Sequence, residues 1–181
     1  MRATLGACAL ILGALAFLVF WGSDVAWDDK LLGAAVPWWI RLAVHGIAIV
    51  LMTSGLIMRN WIAPTSDAAT RYERIAAGVS IAGLLTVLPL FFVGIALLGV
   101  VTIVARGLFA AGLALLLGAT LFAVTYGSGV RLGFEDGPPL SQIDKVLAAS
   151  SITLVTIGLC ALGVVWLRQR NALAILDLNH S

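Results

Sequence analysis

The longest apolar block of the chain runs from Ile75 to Val130 and contains one charge, Arg106. As a single straight helix at about 1.5 Å per residue, it would be roughly 84 Å long, nearly three times the ~30 Å hydrocarbon core of a bilayer. The block must therefore cross a membrane more than once or break within it. Its simplest division is two helices, 75–99 and 105–127. A tight turn at 100–104 then sets Arg106 at the interface, where a long cationic side chain reaches water. Pro89 falls inside the first of these helices and predicts a kink. Three further blocks, 4–22, 37–58 and 146–167, are also long enough to span. The pattern predicts an all-α, polytopic membrane helical bundle that fills residues 1–181 as a single transmembrane domain. It has five transmembrane helices, or four with a broken or re-entrant segment.

The polar intervals carry the punctuation. The first, 23–36, holds Asp24, Asp28, Asp29 and Lys30, and Pro37 suits the first turn of the helix that follows. Thr70 and Glu73 have capping-box spacing ahead of 75–99, as do Ser141 and Asp144 ahead of 146–167. Gly137, Pro138 and Pro139 force irregular backbone in the interval 129–145. The tail from Asn171 is expected to be peripheral. Trp21, Trp27, Trp38, Trp39, Trp61 and Trp166 fall at the ends of the blocks, where aromatic belts form.

Composition agrees with the pattern. Hydrophobic residues make up 61% of the 181 and charged residues 11%, with a mean hydropathy of +1.08. Soluble domains hold about 25% charged residues, so lipid must be part of this protein's solvent. A net charge of +2 without a basic run gives no reason to expect nucleic acid. Cys8 and Cys160 lack metal or redox spacing and read as small packing residues. Arg2 and the apolar stretch after it are too long for a signal peptide and read as a retained first helix. Five crossings with the N-terminus inside leave six basic residues inside and five outside, which is no bias. One or three crossings by the long block would instead return the C-terminus to the cytoplasm.

Candidate chemistry is sparse. Arg41 and His45 lie four residues apart on one face of 37–58, and an ionisable residue in the membrane is a candidate site because burying it is expensive. Arg41, one turn from Pro37, doubles as an interface anchor. His45 lies deeper and could relay protons or meet a quinone or haem, or simply bond to a neighbouring helix. A bis-histidine haem would need a second embedded histidine, and the only other one, His180, is in the tail. Arg106 is either a turn residue or an anion site. Ala110, Ala114 and Gly118, spaced by four, are helix-packing candidates, as are Gly6 and Gly13, a heptad apart, and Thr153, Thr156 and Cys160. No acidic residue falls inside a predicted span, so a self-contained ion-coupled transporter lacks its carboxylate. No enzyme motif, metal site or cofactor is predicted. The acidic residues 24–29 read as a solvated loop rather than a cation site.

Gly33, Ala34, Ala35, Val36 and Pro37, followed by a span ending Thr53, Ser54 and Gly55, resemble the small membrane subunit of tripartite tricarboxylate transporters over the first third of the chain. In that family a Gly-Pro-x-Phe-Pro-like element precedes a Gly-rich second span. Ala34 and Val36 depart from it, and the block 146–167 exceeds the family's four-span plan. The resemblance implies a small subunit beside a large transport subunit.

The expectation is a non-catalytic subunit of a bacterial inner (plasma) membrane, in contact with the lipid bilayer and with larger integral membrane subunits. Two alternatives stand beside it. One is a redox-chain subunit touching quinone or haem through His45 and Arg41. The other is an independent small transporter or channel using Arg106 or His45.

Overall fold

The structure, a computed structural model, describes residues 2–25, 30–31, 34–35, 37–62, 68–127 and 141–178. It is an all-helical bundle. α1 is Arg2–Val25, α2 Trp38–Ile57, α3 Ala68–Leu85, α4 Leu88–Arg106, α5 Phe109–Gly127 and α6 Gln142–Leu178. A π-helical turn, Met58–Ile62, extends α2. Among the described residues the connection between α1 and α2 holds a two-residue antiparallel pairing, Lys30 with Ala35 and Leu31 with Ala34. Four stretches are long and apolar enough to cross a membrane: Thr4–Trp21, Trp38–Trp61, Leu88–Arg106 and Gln142–Arg168. α5 is equally apolar, with Phe109–Thr125 as its apolar stretch.

The helices follow one another around the bundle in the order α2, α1, α6, α5, α4, α3. α3 then meets α2 and its π turn lightly, closing the ring at one end. The expected helix 75–99 is corrected. The chain reverses at Thr86 and Val87, making α3 and α4 an antiparallel hairpin. Proline cannot donate the helical hydrogen bond and clashes with the carbonyl four residues back, so α3 cannot continue through Pro89. The first turn of a new helix accepts it, and Val87 is extended (φ −137°, ψ 118°) as that helix's N-cap. Thr86 Oγ1 donates to the Ala82 carbonyl at 2.6 Å, closing α3.

The second reversal lies at Gly107 and Leu108 rather than at 100–104. Gly107 takes φ +65°, a left-handed cap open to glycine, and its N–H returns to the Ile103 carbonyl at 3.1 Å. α6 starts where its capping spacing predicts. The Ser141 hydroxyl and the Asp144 carboxylate meet at 2.6 Å, and the Asp144 N–H donates back to Ser141 Oγ at 3.2 Å. The tail from Asn171, expected to be peripheral, is helical to Leu178.

Glycine decides how closely the helices approach. A Cβ on Gly13 would stand 2.6 Å from the Met52 nitrogen, one on Gly99 2.8 Å from the Gly112 carbonyl oxygen, and one on Gly118 2.9 Å from the Ser151 carbonyl oxygen. One on Gly94 would collide with Ser80, and one on Gly163 would meet Ala7. Each of these five lateral contacts therefore has glycine at the crossing. In lipid there is no hydrophobic drive between helices, so close van der Waals packing must hold them. Aromatic rings fill the centre: Phe17 meets Phe91 edge-on at 5.5 Å, and Phe92 stacks on Phe122. Ser151 Oγ donates across to the Gly118 carbonyl at 2.8 Å.

Candidate functional site

A linked set of polar side chains lies at one end of the bundle, where the π turn, the start of α3 and the end of α4 meet. Arg106, the last residue of α4, turns its guanidinium back onto α3. Its Nε donates to Glu73 Oε1 at 2.6 Å and its Nη2 to Oε2 at 3.0 Å, with a longer bond from Nη2 to Thr70 Oγ1 at 3.3 Å. The side chains are 17% and 7% exposed, so this is a largely buried, two-pronged pair. The next residue, Arg74, reaches the other way. Its Nε donates to the Asn60 carbonyl in the π turn at 2.6 Å. Asn60 is buried, and its side-chain amide donates to the Leu56 carbonyl at 2.9 Å. Arg59, beside it, places its guanidinium 5.3 Å from the centre of the Trp166 ring on α6.

The first turns of α3 thus tie α4 on one side and α2 on the other. The carboxylate answers Arg106 with both oxygens, the geometry that makes such pairs strong and directional. A cation at the last residue of α4 also opposes that helix's dipole favourably. Chemically the arrangement is a lock. The guanidinium that was a candidate turn residue or anion site is occupied by Glu73 and Thr70. The Thr70–Glu73 capping box is corrected: α3 begins at Ala68, and both side chains serve Arg106. Helical geometry now includes Glu73, which the expected boundary at 75 left outside.

The same end is strongly basic. Arg2, Arg59, Arg71, Arg74, Arg106, Arg168 and Arg170 lie on the described segments that reach it, against Lys30, Arg41 and Lys145 toward the other end.

The other predicted residues are dispersed. His45 is half-buried near the opposite end, its ring 4.3 Å from that of Phe20 and edge-on to Trp21 at 6.2 Å. Arg41 is half-buried one turn away. Trp21, expected in an interface belt, is 5% exposed and packs with Phe17, Phe20 and His45, because its helix continues past it to Val25. Trp38 and Trp39 are exposed.

Ala110 is exposed, while Ala114 is buried and Gly118 packs on α6; their neighbour Ala111 faces the same interface. Gly6 and Gly13 both face α2. Thr156 Oγ1 donates to the Ala14 carbonyl at 3.4 Å, whereas Thr153 is exposed. An open apolar groove of about 490 Å³ runs along α6 past Val146, Ala149, Ser150, Thr153 and Leu154. Among the described residues no group of three or more His, Cys, Asp or Glu side chains could hold a metal. Trp27, Asp28, Asp29, Gly33, Val36, Pro138, Pro139 and His180 lie outside the described residues. Compared with known protein families, curated proteins and solved structures, the chain finds no match.

Proposed function

We propose that this protein is a non-catalytic integral membrane subunit that packs against, and stabilises, a larger membrane complex. The observation that carries this reading is the outer face of α2. Of the four span-length helices α2 is the least covered, with 22% of its apolar window buried against 50% for α6. Leu42, Ala43, Ile47 and Val50 lie exposed on it, and a Cβ on Gly46 would meet nothing within 4 Å. A small-residue notch flanked by aliphatic side chains suits a second helix at close range. The rest of the architecture favours support over turnover. The interior is filled by glycine crossings and aromatic rings, and the carboxylate on α3 is committed to Arg106. The resemblance over the first third points the same way, toward a small subunit beside a large transport subunit of a bacterial inner membrane.

Purification from native membranes in mild detergent, followed by mass spectrometry, tests the reading. A larger membrane protein at a fixed stoichiometry, lost on Gly46→Trp, is the expected result. A stable lone species that conducts ions or solute in proteoliposomes overturns it. A Soret band or bound quinone in the purified protein would favour the redox alternative instead, with His45 and Phe20 as the place to look.

A further inference from the structure

Two arginines stand one helical turn apart on α3, at the basic end of the bundle. Residues three apart on a helix are neighbours, so Arg71 and Arg74 repel unless an anion sits between them. Arg71 is exposed. Arg74 is half-buried and held in place through Nε by the Asn60 carbonyl, and its two Nη groups have no protein partner among the described residues. Glu73, between them in sequence, is spent on Arg106.

The face continues below the arginines as Ile75, Gly78 and Ala82, at helical spacing from Arg71. Ile75 and Ala82 are exposed, and a Cβ on Gly78 would meet nothing within 4 Å. The combination is a pair of guanidiniums above an apolar furrow. We propose that Arg71 and Arg74 clamp the phosphate of an anionic phospholipid headgroup, with one acyl chain lying along Ile75, Gly78 and Ala82.

The chemistry fits each part. Guanidinium forks match phosphate oxygens in plane and in charge. The depth is right, because the apolar windows of α4 and α6 close at Arg106 and Arg168, at the same end of the bundle. The furrow selects a lipid over a soluble phosphate, since a free anion would make no use of it. Basic residues near a membrane surface each add about fivefold to binding of anionic lipid.

The test is native mass spectrometry of the full chain, delipidated and then exposed to equimolar phosphatidylglycerol and phosphatidylcholine. The protein should retain phosphatidylglycerol in preference by about fivefold or more. Arg71→Gln, which removes no hydrogen bond or ion pair within the described residues, should cut that preference about fivefold and leave the thermal midpoint unchanged. Gly78→Leu, which fills the furrow, should lower retention of the same lipid. Equal retention of the two lipids, or an Arg71→Gln protein with full preference, overturns the proposal. So does displacement of the bound lipid by millimolar inorganic phosphate, which would assign the clamp to a soluble anion.

Discussion

Arg106 and Glu73 stand 33 residues apart in sequence and meet through two hydrogen bonds. Removing either partner leaves a charge in a site where it is nine-tenths or four-fifths covered. Glu73→Ala and Arg106→Ala should each cost about 2–3 kcal/mol, below the range for a fully buried pair because the guanidinium keeps some water. The double variant should cost clearly less than the two losses added together. Thermal unfolding in detergent measures this, and simple additivity would show that the two groups do not interact.

Nothing local announces this pair. Thr70 and Glu73 have the spacing of a cap, and the sequence offers no sign that both face a residue at the end of the next helix. The opposite case is Ser141 with Asp144, where the same spacing describes the contact that forms. Local rules read correctly where both partners are local. Trp21 shows the same limit, since an aromatic residue near a helix end reads as a belt whether it meets lipid or Phe17.

At the level of helices, glycine separates positions that must stay empty from positions that merely are. Gly94 lies against Ser80, and a side chain there must push α4 away from α3. Gly94→Leu should lower stability by about 3 kcal/mol or more, at the upper end of what overpacking costs. Gly46 lies in the middle of α2 with open space around it, and Gly46→Ala should stabilise by about 0.5–1 kcal/mol through helix propensity alone. Melting curves of the two variants, run side by side, check both signs. The helical class and the apolar segments were legible from hydropathy and length. The path of the chain at Pro89 was not. Proline forbids a continuous helix, but a kink and a full reversal satisfy that rule equally well. The reversal brings the Phe91 backbone against Gly83 just past the turn, an approach that a side chain there would block.

Across the whole molecule, the reversal at Thr86 and Val87 makes α3 an antiparallel companion to α4 along its length, from Gly83 against Phe91 to Glu73 against Arg106. If α3 crosses beside α4, six helices share one depth, and an even number returns the chain to the side on which it began. The ten basic residues on the described segments then divide seven to three, whereas five crossings divide the same ten five to five. Fluorescent-protein fusions at the N- and C-termini should therefore both light up in the cytoplasm, and an alkaline phosphatase fusion at the C-terminus should be inactive. A fluorescent N-terminal fusion beside an active C-terminal phosphatase would restore the five-crossing path.

The hairpin also bears on how the protein enters the membrane. α3 carries Arg71, Glu73 and Arg74 in its first turns and does not reach the hydropathy of the span-length helices. On its own it is a poor candidate for insertion. Joined to α4 by two residues, it can be carried in by its neighbour's apolar surface, with its carboxylate delivered directly to Arg106. The short turn thus favours entry of α3 and α4 as one helical hairpin, which brings Glu73 and Arg106 to the same end of the bundle.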